Sequence, residues 1–308
     1  MRNLIWKLFG ISKTTVLKRI IDLNTTHNIA CSVSYLPLVS RSLAEIEDAY
    51  TTYYRLIDDL TQINQDTHKN NDITIKLYQF WQYLLSKDEL YTQFSKFCTY
   101  AKAHNIFVRI DTSDRTYHTT APMSTTWSPR HIIQETVQLY QKLLQNGFSS
   151  QEIGICVSSN ITSYQELLLP LFETQIPSLR LVKGFYNNYD LTSRSHVSQN
   201  YLNVAQWIRE KNTQKIAFAT HDHLIMQKLI ETYSPLPKRS QVELQSFIDV
   251  HNTYIYKLAQ TYTVRAYIPF GKTWKFLTRG RPWFDKIRAR QRILWVRTYD
   301  PKKLHSTS

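Results

Sequence analysis

Apolar positions along the chain fall into two rhythms. Short runs rich in β-branched and aromatic residues recur at 28–35, 72–77, 106–111, 152–159, 179–184, 215–220, 242–247 and 263–270. Each is too short for a helix of ordinary length, and together they predict strands. Between them, at 41–60, 89–104, 129–144, 163–172 and 201–211, apolar residues recur three and four apart, which lines one face of a helix. Ser128 before Pro129 reads as an N-cap followed by proline at the first helical position, and Gly147 reads as the stop just past that helix. No long linker or low-complexity segment interrupts the alternation. Eight strand–helix units over about 250 residues predict the α/β class and a single parallel (βα)8 barrel of the TIM type. A doubly wound open sheet is the second architecture the pattern allows.

Composition narrows the choice. The 308 residues contain six glycines, no two closer than seven positions, so neither G-x-G-x-x-G nor a Walker A loop can be built. That removes the usual phosphate cradle of the open-sheet nucleotide enzymes. The three cysteines, Cys31, Cys98 and Cys156, are scattered and odd in number, which argues for small core residues in a reducing compartment rather than a disulfide framework or a metal site. The longest apolar run, near 167–172, is short and broken by Pro170, so no membrane span is expected, and residues 1–20 lack the apolar core of a secretory signal.

Charge is unevenly placed. The net +14 arises from 38 Lys and Arg against 24 Asp and Glu. Residues 1–20 carry +5 and residues 271–308 carry +9, while residues 21–270 balance at 22 against 22. Only the two ends suggest an anionic surface such as a membrane or nucleic acid. The chain divides accordingly into a basic helical segment over 1–27, a barrel over 28–290 and a basic tail over 291–308.

Barrel enzymes work at the carboxyl ends of their strands. Those ends carry Lys76, Asp111, Ser158 with Ser159, Arg180 with Lys183, Thr220-His221-Asp222, Gln245, and Arg265 with Tyr267. Lys76 ends the apolar run Ile73-Thr74-Ile75, where a bare ammonium is costly, and Asp111 at the same level of the next strand is its natural counter-ion. Each residue also has a plain structural role open to it: a lone Lys–Asp pair can simply brace two strands, His221 can cap a helix, and Gln245 can satisfy a carbonyl. Their convergence on one end, with several cations and few acids, suits an anionic substrate or cofactor.

Several strings resemble the proline dehydrogenase family. Arg180-Leu181-Val182-Lys183-Gly184-Phe185-Tyr186 is similar to its R-L-V-K-G-A-Y, Ala219-Thr220-His221-Asp222 to its A-T-H-N/D, and Val264-Arg265-Ala266-Tyr267-Ile268-Pro269-Phe270-Gly271 to its V-R-V-Y-V-P-F-G. Ile73-Thr74-Ile75-Lys76-Leu77 and Val108-Arg109-Ile110-Asp111 resemble the strands that carry its lysine and aspartate, and the strings keep the family's order. The resemblance implies a distorted (βα)8 barrel with its last helix over the mouth, binding FAD and oxidising L-proline to Δ1-pyrroline-5-carboxylate. Electrons would pass to a quinone or another acceptor. By position, Arg180, Lys183, Gly184, Thr220, His221 and Gln245 would hold the flavin, and Lys76, Asp111, Tyr267 and Arg281 would line the proline site. No metal is implied. The implied location is cytoplasmic, with the basic ends able to touch the inner face of a membrane.

The chain departs from that family at the site. The family's R-R-x-x-E reads Gly280-Arg281-Pro282-Trp283-Phe284, so one arginine and the glutamate are replaced. Losing one charge-assisted contact to a carboxylate costs about 1.5–3 kcal/mol. The family's flavin-contacting glutamine on strand four reads Ser158, its alanine after K-G reads Phe185, its F-Q-M-L reads Leu244-Gln245-Ser246-Phe247, and its early Y-L-G-E reads Tyr35-Leu36-Pro37-Leu38. A family member with altered substrate or lost catalysis, serving as a flavin-binding or interaction protein, is therefore the second reading. A nucleic-acid binder using the tail 279–303 is the third and is disfavoured by the neutral body.

Overall fold

The computed structural model describes residues 13–36, 42–77, 86–112, 129–174, 177–183, 193–211, 215–233, 242–248 and 252–271. Eight parallel strands close into a barrel in sequence order. They are β1 (Ala30–Tyr35), β2 (Asp72–Lys76), β3 (Val108–Asp111), β4 (Ile153–Ser158), β5 (Ser178–Val182), β6 (Lys215–Ala219), β7 (Val242–Phe247) and β8 (Val264–Phe270). Each overlaps a predicted run, and closure of β8 onto β1, with Ala30 opposite Arg265 and Tyr35 opposite Phe270, excludes the open sheet.

Helices α1 (Lys13–Thr26), α2 (Leu43–Thr67), α3 (Lys87–Ala103), α4 (Pro129–Gln145), α5 (Tyr164–Thr174), α6 (Arg194–Glu210), α7 (His223–Thr232) and α8 (Asn252–Leu258) alternate with the strands. Local chemistry sets their starts. Ser86 and Glu89 form a reciprocal capping box on α3, while Ser42, Ser193 and Asp222 accept from the first-turn N–H groups of α2, α6 and α7. Gly147 has φ +93° just beyond α4, the left-handed geometry that ends a helix. Two helices outrun their predicted spans: α2 continues to Thr67, and α6 begins at Arg194. The added turns of α2 carry mostly polar residues, Gln62, Asn64, Gln65 and Asp66, so hydrophobic spacing alone could not extend it.

The period of two along each strand sorts the residues by face. Aliphatic positions such as Val33, Ile73, Ile75, Ile110, Ile155, Leu179, Leu181 and Ile216 share one buried cluster with helix residues Ile20, Leu56, Phe94, Tyr140, Tyr201 and Leu229. The alternate positions face the barrel axis, and they are mostly polar: Ser32, Asp72, Thr74, Arg109, Ser178, Arg180, Glu243, Gln245 and Arg265 are all buried. Among the described residues, Arg109, Arg180 and Arg265 are the bulkiest fully enclosed side chains. Helix α1 packs on β1, β8 and α2 and buries Val16, Ile20 and Leu23. Its Asn24 amide donates to Ile29 O at 2.8 Å and exchanges bonds with the Asn71 amide at 3.0 and 2.7 Å, which ties α1 to the start of β2. Among the described residues no helix is long and apolar enough to cross a membrane.

Candidate active site

Lys76 and Asp111 are register partners on β2 and β3. Lys76 Nζ donates to Asp111 Oδ2 at 2.7 Å with both side chains nearly enclosed, at 10% and 8% exposure. Tyr267, on β8, senses the same charges. Burial first, and then the Asp111 carboxylate, push its phenol up, while Lys76 and Arg180 pull the other way. The guanidinium of Arg180 lies 5.6 Å from the Tyr267 ring centroid. Phe247, on β7, sets its ring edge-on to Tyr267 at 4.9 Å and stacks on the His221 ring, also at 4.9 Å. His221 Nδ1 lies 3.1 Å from Ser246 Oγ. Residues from β2, β3, β5, β7 and β8 thus converge on one end of the barrel.

Arg180 is fixed from across the barrel. Its two terminal nitrogens donate to Thr74 Oγ1 at 2.8 Å and Ser32 Oγ at 2.7 Å, and those two hydroxyls bond each other at 2.8 Å. Sequence reading missed Ser32 and Thr74 because a hydroxyl in the middle of a buried strand looks like ordinary strand composition. The signal was their place on the inward-facing alternation.

Lys183 is committed to Asp222 at 2.7 Å. Burial works against the Asp222 charge, but the hydrogen bond and charge of Lys183 outweigh it and hold the carboxyl below its ordinary range. Asp222 also accepts from Ile225 N at the start of α7, and its own N–H donates to Thr220 Oγ1 at 3.0 Å. The Lys183–Asp222 pair is neutral as a unit, so Lys183 brings little net charge to a phosphate. Gln245 is buried and its Nε2 donates to Glu243 Oε1, below the mouth, while its Oε1 has no partner among the described residues. Ser158 is buried at the end of β4. Arg281 and Gly184 lie outside the described residues, as do Phe185, Gly280, Phe284 and the helix expected over the mouth.

The residues present suit a flavin ring. Arg180 Nε and Gln245 Oε1 are a buried donor and a buried acceptor with no partner among the described residues, the two hydrogen-bonding senses that the polar edge of such a ring requires. Among the described residues no group of three His, Cys, Asp or Glu is placed to hold a metal ion.

No family profile matches the sequence. No curated protein matches it either. Solved structures do. Proline utilization A from Bdellovibrio bacteriovorus inactivated by N-propargylglycine superposes with a TM-score of 0.71 at 17% identity, over 88% of this chain and 31% of that one. A mutant of Bradyrhizobium japonicum proline utilization A gives 0.65 at 17% identity, over 87% and 29%. The fold is that of a proline dehydrogenase domain. This chain spans about a third of the length of those proteins. Identity of this order speaks for the proline dehydrogenase fold alone, and the sequence strings had pointed to the same fold from residues on β2, β3, β5 and β8.

Proposed function

We propose that the protein is a flavin-dependent oxidoreductase acting on L-proline or a closely related cyclic amino acid. The observation that carries this reading is the convergence of the Lys76–Asp111 pair with Tyr267 and Arg180 at one end of a barrel that has the proline dehydrogenase fold. A bound flavin, FAD in this reading, supplies the two-electron oxidant, which no side chain here can provide. The chain's own residues bind and orient. Lys76 offers a positive charge to a substrate carboxylate, Asp111 holds that ammonium in one place, and Arg281 adds a second cation from the carboxyl-terminal segment. Tyr267 and Phe247 wall the substrate side and keep water out. Arg180, held by Ser32 and Thr74, presents Nε to the flavin, with Thr220, His221, Lys183, Gly184 and Gln245 along the rest of the cofactor. Electrons leave to a quinone or another acceptor, and the basic ends 1–20 and 286–308 give the surface for an anionic membrane. Liposome co-sedimentation that survives deletion of both ends would remove that last element.

The decisive experiment is the visible spectrum of purified protein before and after L-proline under anaerobic conditions. A flavin band that bleaches supports the reading. Colourless protein that takes up no FAD on reconstitution ends it.

The replacement of the family's arginine and glutamate by Gly280 and Phe284, together with Ser158, favours a second reading in which the barrel is kept and turnover on proline is lost. Bound flavin that proline fails to bleach, with bleaching recovered in the Gly280→Arg, Phe284→Glu double variant, selects it.

A further inference from the structure

Among the described residues, charge inside the barrel is balanced in two places and unbalanced in a third. Arg265 Nε lies 2.9 and 3.0 Å from the Glu243 carboxylate, and its Nη1 lies 3.3 Å from Asp72. Lys215 adds its field to Glu243, so two cations face two carboxylates in that group. Lys76 and Asp111 form a second neutral pair. Arg109 and Arg180 remain, and among the described residues neither is within ion-pair distance of a carboxylate. Arg180 has two hydroxyls as acceptors. Arg109 has less than that: it is 1% exposed, and its Nε and Nη1 find no acceptor among the described residues.

An aromatic ring and a second cation lie close to Arg109. Its guanidinium lies 4.9 Å from the Phe107 ring centroid, and Lys215 Nζ approaches the same ring at 5.0 Å. Its register partner on β4 is Gly154, where an added Cβ would sit 3.1 Å from Arg109 Nη1, 2.9 Å from Ser178 O and 2.7 Å from the Phe107 ring edge. The missing side chain leaves room for the guanidinium over β4. Asp72 and Glu243 act on Arg109 only through their field, and both are engaged by Arg265. Burial first, and then the like charge of Arg180, lower the Arg109 pKa to about 10, which still leaves it charged at neutral pH.

A buried water can satisfy hydrogen bonds, but it leaves a buried charge uncompensated. Two unmatched guanidiniums in one enclosed space call for a negative counter-charge. We propose that Arg109 binds one small halide ion, chloride under ordinary conditions, in the half of the barrel below the mouth. Its position on β3, two residues below Asp111, separates it from the site proposed for substrate. The proposal is independent of the proline reading.

Bromide is the probe. Thermal unfolding of the full chain is followed while bromide replaces gluconate at constant ionic strength and pH. The expected result is a midpoint that rises by several degrees and saturates, as mass action requires of a ligand of the folded state, with the rise absent in Arg109→Gln. A midpoint indifferent to bromide overturns the proposal, and so does an unchanged rise in Arg109→Gln or a rise produced by phosphate in place of bromide. As a test that does not depend on the folding of Arg109→Gln, the unchanged protein is also crystallised from bromide. An anomalous peak within hydrogen-bonding reach of Arg109 supports the site, and bromide found only at the surface overturns it.

Discussion

Lys76 is flanked in sequence by Ile75 and Leu77, both fully buried, and its ammonium reaches Asp111 at 2.7 Å. Removing one member of a buried pair leaves the other charge in a poor solvent and costs about 3–5 kcal/mol, whereas removing both is far milder. Lys76→Met is therefore expected to lower the unfolding free energy in urea by about that amount, and adding Asp111→Asn should restore more than half of it. A double variant no more stable than the single would show that Asp111 is held chiefly by other groups. Phe247 poses a separate question at the same mouth. It is edge-on to Tyr267 and stacked on His221, so its ring fills space that a leucine would leave open. Phe247→Leu should cost about 0.5–1.5 kcal/mol of stability through the lost aromatic pair. If the mouth takes proline, the same change should raise kcat/KM for it by roughly tenfold, and steady-state kinetics on the flavin-loaded protein measures this. An unchanged or lower kcat/KM would place Phe247 away from the substrate.

Where elements end and join, two glycines share a backbone geometry but not a neighbourhood. Gly147, with φ +93°, has nothing within 4 Å of an added Cβ, while Gly271, with φ +109°, would bring one to 2.5 Å from Leu36 O. Left-handed geometry costs a non-glycine residue about 1–2 kcal/mol, so Gly147→Ala should lose about that. Gly271→Ala must also shift the Leu36 backbone and should lose clearly more, as equilibrium unfolding will show. Between β7 and β8, Glu243 keeps its charge in a buried place chiefly because Arg265 is beside it. Burial alone would raise its carboxyl, yet the charge and hydrogen bond of Arg265 hold it near about 2, against an ordinary 4.5. A carboxyl lowered in this way contributes stability above pH 4.5 and loses it as the pH falls toward 2. The stability gap between the unchanged protein and Glu243→Gln should thus be widest at neutral pH and shrink steadily below pH 4.5. A constant gap would mean that Glu243 unfolds with the carboxyl it had when folded. The elements themselves were legible in the sequence, because β-branched runs such as Ile153–Ser158 mark where a strand lies. The mouth residues Lys76 and Asp111 were legible for the same reason, since a charge ending an apolar run stands out. The polar lining was not: Arg109, Ser32 and Thr74 sit within runs that read as strand whichever face they take, and only closure of the sheet decides which face is inside.

Closure also decides how the whole molecule can come apart. A barrel whose eighth strand pairs with its first has no free edge from which to peel, and its outer wall shares one apolar cluster with the helices. Cysteines sample three depths of this arrangement. Cys31 on β1 faces the helices, Cys98 lies on α3 near the Tyr54–Phe97 aromatic contact, and Cys156 on β4 faces the axis. All three are free and buried, and burial raises each thiol, Cys156 to about 12. Thiolate is the reactive form, so a thiol reagent at neutral pH must wait for the structure to open. If the barrel and its helices open only together, all three should label at one rate, and that rate should rise with urea along the slope of global unfolding. The measurement is mass-spectrometric labelling of each cysteine at low urea. Faster labelling of Cys98 with little urea dependence would show that α3 leaves the wall by itself, and the barrel would then be one cooperative unit with a separable helix rather than a unit that includes it.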